Sequence, residues 1–157
     1  MRTFLLSLVL AATLTAAGAA SAQSRHVEFA DSVPERIGTK TVAIDRVVGR
    51  GVESQPGQFV VIEYDAWVFD ANAPEFKGHL FDSTRTQGHS LSVLLGVGRM
   101  IAGVDKGLLG MRVGGRRTLV IPPTMGYGAR GAYDVPPNAT LIFDVELKDV
   151  IAERNVN

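Results

Sequence analysis

Two tyrosines, Tyr127 and Tyr133, lie between the paired prolines Pro122-Pro123 and Pro136-Pro137, in a stretch that also carries Gly126, Gly128 and Gly131. The glycines satisfy the G-x-G-x-x-G spacing of a dinucleotide cradle, which needs a helix whose amino end meets a pyrophosphate. Here Asp134-Val135-Pro136-Pro137 follows the glycines, so no such helix can start and nucleotide binding is disfavoured. The three histidines, His26, His79 and His89, form no pair at metal-ligand spacing, which argues against a zinc site. No serine sits in a G-x-S-x-G elbow, and the absence of cysteine removes thiolate chemistry, disulfides and lipid attachment at a cysteine. Asn138-Ala139-Thr140 is a glycosylation sequon by type and a turn entering a strand by context. What remains is a loop of aromatics and prolines pinned at both ends, a common setting for a concave site.

The elements that must hold that loop are strands. Leu141, Phe143, Val145 and Leu147 alternate with Ile142, Asp144, Glu146 and Lys148, the period of two expected of a strand with one buried face. Val60, Ile62, Tyr64, Ala66 and Val68 share one face of a long strand over 59–68. Further strands are expected around Val42 to Val47, over Leu91 to Leu95 and from Val113 to Ile121. Phe69 to Leu80, with Pro74, Gly78 and His79, reads as a surface loop. Ile101, Val104 and Leu108 fall on one face of a single helix over 101–109, weakened by roughly 1 kcal/mol at each of Gly103 and Gly107. The expected fold is α+β: a small antiparallel sheet with one short helix laid on it.

The amino terminus bears on compartment. Arg2 precedes seventeen apolar or small residues, Phe4 to Ala20, and Ala20-Ser21-Ala22 fits a signal-peptidase site. Residues 1–22 are therefore expected to be a signal peptide, cleaved after Ala22, which places the product in the periplasm or outside the cell. The competing reading is a membrane anchor, but Ser7, Thr13, Thr15 and Gly18 dilute the run. Removal of 22 of the 157 residues leaves 135, enough for one domain. Residues 23–38 read as a flexible arm, 39–152 as the folded domain and 153–157 as a tail. Sixteen Lys plus Arg balance sixteen Asp plus Glu, so neither nucleic acid nor an anionic membrane surface is an expected partner.

The blocks V-V-I-E-Y, F-D-S-T, L-G-V-G-R-M-I-A-G, G-M-R-V-G, I-P-P-T-M-G-Y-G and V-P-P-N-A-T-L-I-F-D-V-E-L occur in the order found in one known family. Over about residues 40 to 151 the chain resembles the FKBP-type peptidyl-prolyl cis-trans isomerases. The resemblance implies a sheet half-wrapped around the helix, an apolar pocket between them, and no cofactor or metal. It assigns Asp82, Tyr127, Phe143 and Tyr64 to catalysis, and Phe81, Leu91, Met100, Ile101, Val104 and Val135 to substrate binding. Ile101 would offer its N–H and Tyr127 its hydroxyl to carbonyls of the bound chain. Residue type alone leaves Tyr64 and Phe143 as ordinary strand-core aromatics and Asp82 as a turn residue capping a strand end.

Four positions depart from the family pattern. Val104 replaces a pocket-floor tryptophan, Leu91 stands where an aromatic is common, Gln87 takes the place of an arginine that pairs with the aspartate, and the loop at Tyr133 is one residue shorter. The implied function is rotation of X-Pro bonds in folding exported proteins, by a monomer whose partners are proline-containing polypeptides and the family's macrolide inhibitors. An alternative is a module that holds proline-containing chains with little turnover, although Ala129 to Asn138 is too short for a chaperone insertion. A third keeps only the fold and uses the 69–80 loop, with Trp67 nearby, for partner contact.

Overall fold

The computed structural model describes residues 38–151. The expected signal peptide and tail, and the arm apart from Gly38, lie outside the described residues. Alternation builds the longest strands. In β2 (Phe59–Phe69), Val60, Ile62, Tyr64 and Ala66 are buried while Glu63 and Asp65 are half-buried. With β1 (Val42–Val47), β3 (Lys77–Ser83), β4 (Leu91–Leu94), β5 (Arg116–Ile121) and β6 (Leu141–Ile151), β2 forms a six-stranded sheet in the order β1-β5-β6-β2-β3, with β4 also paired to β2. Every pairing is antiparallel. Two helices follow strands: α1 (Thr84–Gln87) after β3, and α2 (Ala102–Gly107) after β4. This is the expected α+β arrangement.

The core lies between α2 and the inner face of the sheet. Val104 and Leu108 of the α2 segment pack with Ile62, Leu119, Ile121, Leu141 and Phe143. The two glycines of α2 permit this approach. A Cβ on Gly103 would lie 2.3 Å from Ile121 Cγ2, and one on Gly107 2.7 Å from Leu119 Cδ2. Their cost in helix propensity is thus the condition for seating α2 on β5. Asp105, buried on the same helix, accepts from Gly96 N–H at 2.8 Å and Gly98 N–H at 3.2 Å and pins the loop that leads to Ile101.

Several expectations are corrected. The helix is shorter than 101–109, with Ile101 at its N-cap and Leu108 at its C-cap. The helix α1 was not expected; Ser83 caps it by accepting from Thr86 N–H at 3.1 Å. The span from Phe69 to Leu80 is a hairpin closed by Asp70 to Phe76, because strand pairing resumes at Lys77 opposite Phe69. Strand β5 begins at Arg116, not Val113, since Gly114 at φ 82° and the Gly115 N–H to Arg112 carbonyl bond form a turn first. Asp82 lies within β3 and caps no strand end.

Ile142, on the side of β6 expected to face water, is fully buried. Its registered neighbours are Val120 on β5 and Trp67 on β2, and Val42, Ile44, Phe69 and Phe76 pack against Val120. The sheet therefore has a second, smaller apolar layer on its outer face. The Phe69 and Phe76 rings stack at 5.3 Å. Lys77 bridges to Asp144 at 2.7 Å and lies 4.8 Å from the Trp67 ring centroid.

Gly103→Ala tests the helix seat. Overpacking against Ile121 is expected to outweigh the gain in propensity and lower unfolding free energy by about 1–3 kcal/mol in urea denaturation.

Candidate functional site

The site is built on the inner face where β2, β3 and β6 meet. Ala66 is its geometric centre, since it pairs with Asp82 on one side and Phe143 on the other. Tyr64 precedes Ala66 by two residues and so lies on the same face, diagonal to Asp82. The small Ala66 side chain leaves room above it for the rings of its neighbours. Tyr64 and Phe143 meet with centroids 5.5 Å apart.

Phe81 reaches the same face through an irregularity in β3. Ala66 pairs with Asp82 but Trp67 pairs with Leu80, so Phe81 is an extra, bulged residue. Phe81 and Asp82 thereby both face inward although they are consecutive. The Phe81 ring meets Phe143 edge-on at 5.9 Å and Tyr127 edge-on at 6.3 Å. Tyr64, Phe81, Phe143 and Tyr127 form one continuous aromatic array.

One carboxylate is held beside it. Tyr64 Oη donates to Asp82 Oδ2 at 2.5 Å, and Gln87 Nε2 donates to Asp82 Oδ1 at 3.0 Å. A charge-assisted bond of this kind fixes both groups and is stronger than a neutral one. The helix α1 turns Gln87 back to the strand it has just left. Thr84, its first residue, accepts from Tyr64 N–H at 2.8 Å and donates to Tyr64 C=O at 3.2 Å, so the backbone of Tyr64 is fixed as well as its hydroxyl.

Burial drives the Tyr64 phenol far above its ordinary value of about 10, and the hydrogen bond to Asp82 and its charge add to the shift. Burial raises Tyr127 as well, again with help from the Asp82 charge. Both phenols stay protonated and able to donate.

The remaining predicted residues surround the array. Val135 and Val104 are buried in the core, Val104 completely, and Phe81, Leu91, Met100 and Ile101 are half-buried against it. Val104 therefore underlies the array rather than forming its surface. The Ile101 carbonyl accepts from Val104 N–H and Asp105 N–H to start α2, while its own N–H has no acceptor among the described residues. The flap, residues 128–138, folds over as a tight loop. Ala132 and Val135 exchange backbone hydrogen bonds at 3.0 Å, and Gly131 at φ 67° leaves no space for a Cβ against the Val135 carbonyl. Tyr127 is 36% exposed at its base, and Tyr133 is fully exposed at its tip. Asn138 adopts a left-handed turn conformation.

The glycines of the G-x-G-x-x-G match serve 3-10 turns, and no helix follows them. Among the described residues no three metal-capable side chains come together, and no helix is long and apolar enough to cross a membrane.

Comparison with known proteins agrees with this geometry. Residues 51–148 match the model of the FKBP-type peptidyl-prolyl cis-trans isomerase family. The chain belongs to the FKBP family. It is 46% identical over 106 residues to FK506-binding protein 1B of Neurospora crassa, covering 67% of this chain and 93% of that protein. It is 46% identical over 103 residues to an FK506-binding protein of Neisseria meningitidis serogroup A, covering 65% and 88%. The crystal structure of AtFKBP13 superposes with a TM-score of 0.62 at 35% identity, over 71% of this chain and 93% of that one.

The protein is thus an FKBP-type isomerase with the family's antiparallel α+β fold. Of the ten residues expected at the site, Tyr64, Phe81, Asp82, Tyr127 and Phe143 are joined by direct contacts and Gln87 stands at Asp82, while Leu91, Met100, Ile101, Val104 and Val135 belong to the apolar core beneath and around them. Thr84 and Asp105, which hold Tyr64 and the approach to Ile101, were not anticipated. Ser83 and Thr86, spaced as an N-cap pair, were the available signal for α1.

An alkaline titration followed by tyrosinate absorbance should show Tyr64 and Tyr127 ionising above the ordinary range, and Asp82→Asn should bring Tyr64 down. Phenols of the unfolded chain lose their proton near pH 10. Their neutral form is favoured by the fold, so stability is expected to decline as pH rises beyond about 10.

Proposed function

We propose that the aromatic array and the Asp82 clamp are the place where this FKBP-type isomerase accelerates rotation about X-Pro bonds. Rotation meets a barrier near 20 kcal/mol because the twisted imide loses its amide resonance. Water stabilises the planar, charge-separated form, so transfer to an apolar surface raises the planar state toward the twisted one. A pocket shaped to the twisted form lowers the barrier further, by binding it more tightly than either planar isomer. No nucleophile and no proton transfer are needed.

The roles follow from position. The proline ring rests on Phe143, underlain by Val104 and flanked by Phe81 and Tyr64, with Leu91, Met100 and Val135 completing the apolar surround. The Ile101 N–H and the Tyr127 hydroxyl hold carbonyl oxygens on either side of the imide. Asp82, oriented by Tyr64 and Gln87, interacts electrostatically with the carbonyl carbon as conjugation is lost. The single observation that supports this reading most is the convergence on Ala66 of Phe143, Tyr64 and the Asp82 carboxylate, with Phe81 added by the bulge. The substrates are proline-containing polypeptides, and the family's macrolides would fill the same surface.

The leader composition of residues 1–22 supports export and cleavage after Ala22, and the proposed form is a monomer acting on proteins that fold in the periplasm or outside the cell. Mass spectrometry of the exported product should find Gln23 at its amino terminus; retention of residues 1–22 would favour an anchor.

Variants separate site from core. Asp82→Ala should stay folded and lose about tenfold or more of kcat/KM for a short X-Pro peptide in a protease-coupled assay. Phe143→Ala should lose activity together with about 3–5 kcal/mol of stability. Full turnover per folded molecule in Asp82→Ala would remove the electrostatic role.

A further inference from the structure

The β2–β3 hairpin is long, and it is held in place at some cost. Its turn carries two consecutive non-glycine residues with positive φ, Glu75 at 54° and Phe76 at 59°. Such conformations are strained and persist only where surrounding contacts impose them. Those contacts are present: the Phe69–Phe76 stack, the Lys77–Asp144 ion pair and the Asp70 N–H to Phe76 carbonyl bond at 2.9 Å. Phe69 N–H also donates to the Thr140 carbonyl at 2.8 Å, just beyond the flap. The hairpin is thereby fixed relative to the loop that covers the site.

Between hairpin and flap lies a groove of about 540 Å³. Val68, Phe69, Asp70, Ala71 and His79 line it from the hairpin, and Asp134 and Pro136 from the flap. It adjoins the site: Val68 follows Ala66 by two residues on the same face of β2, and Asp134 directly precedes the buried Val135. Its two carboxylates face a mostly apolar lining. The Asp70 carboxylate accepts only from Asn72 N–H, at 2.9 Å, and neither Asp70 nor Asp134 is in an ion pair among the described residues. Several carboxylates elsewhere are matched: Asp45 with Arg117, Glu53 with Arg112, Asp65 with Arg85, Asp144 with Lys77.

We propose that this groove is an extended substrate subsite, in which the polypeptide flanking the isomerised proline places a lysine or arginine side chain. The methylene stem packs on Val68, Phe69 and Pro136, and the cationic head lies between Asp70 and Asp134, the division of labour that long basic side chains adopt. The His79 imidazole supplies a hydrogen-bonding group beside it. This subsite rests on the reading of the aromatic array as the X-Pro site, because a chain bound there would run past Val68 and the flap into the adjoining groove.

The test uses the full protein and an Ala-based nine-residue peptide around one Leu-Pro core, with Lys or Glu placed in turn at each outer position. At one outer position, kcat/KM at low ionic strength should favour Lys over Glu by about fivefold, a ratio that falls toward one at high salt. Asp70→Asn/Asp134→Asn, isosteric and still able to accept from Asn72, should abolish that ratio while leaving turnover of the uncharged core peptide unchanged. Equal Lys to Glu ratios in wild type and double variant at every position overturn the subsite. Should the core peptide not turn over at all, the X-Pro reading fails instead, and the same ratio measured as peptide affinity still decides the groove.

Discussion

One extra residue in β3 sets the geometry of the site. A regular strand sends consecutive side chains to opposite faces, so Phe81 and Asp82 could not both look inward. The bulge at Phe81 breaks that rule once. It brings an aromatic wall and a carboxylate to the same surface within one residue of each other. The contacts around it depend on that placement: the Tyr64 hydroxyl reaches Asp82, Gln87 returns from α1 to the second carboxylate oxygen, and the Phe81 ring bridges Phe143 to Tyr127. In a regular β3, either the ring or the carboxylate would belong to the outer face, where Arg46, Arg85 and Arg116 gather with Asp65, Asp144 and Glu146.

The proposed chemistry needs dryness and a fixed charge together, and these oppose one another. A carboxylate resists leaving water unless hydrogen bonds replace its hydration. Here Tyr64 and Gln87 supply those bonds, and neither carries a compensating positive charge. The negative charge of Asp82 therefore remains available to the site, and its effect is visible at Tyr127, whose phenol it helps to raise. An arginine at position 87 would neutralise much of it. The departure at Gln87 thus keeps the carboxylate oriented without a paired cation among the described residues, as the proposed electrostatic role requires. Val104, where the family pattern has a tryptophan, is fully buried between α2 and the sheet, while Gly103 and Gly107 bring α2 against Ile121 and Leu119 of β5.

Much of this was legible in the residues. Period-two alternation placed β2 and β6 and the inward direction of Tyr64 and Phe143, because one face of each is continuously buried. The family order of the motif blocks supplied the proposed roles that periodicity could not. What escaped has a common cause, in that it depends on register between strands and not on the pattern within one. The bulge at Phe81, the continuation of β3 back to Lys77, and the burial of Ile142 beneath a second apolar layer are all set by partners far away in sequence. The glycines of α2 were legible only as weak helix formers; that they are contact points appears once Ile121 and Leu119 are seen opposite them. The helix α1 has four residues, too few to show a 3.6-residue period.

The central claim is that an X-Pro segment binds on the inner face over Ala66, between α2, β3 and the flap. An amide-resolved NMR titration of the protein with a short X-Pro peptide tests it most directly. The expected shifts centre on the Ile101 N–H, Phe81, Asp82, Tyr127 and Phe143, and leave Arg46, Thr118 and Asp144 on the outer face unmoved. Shifts that gather on the outer face, with the Ile101 amide unchanged at saturation, would contradict it.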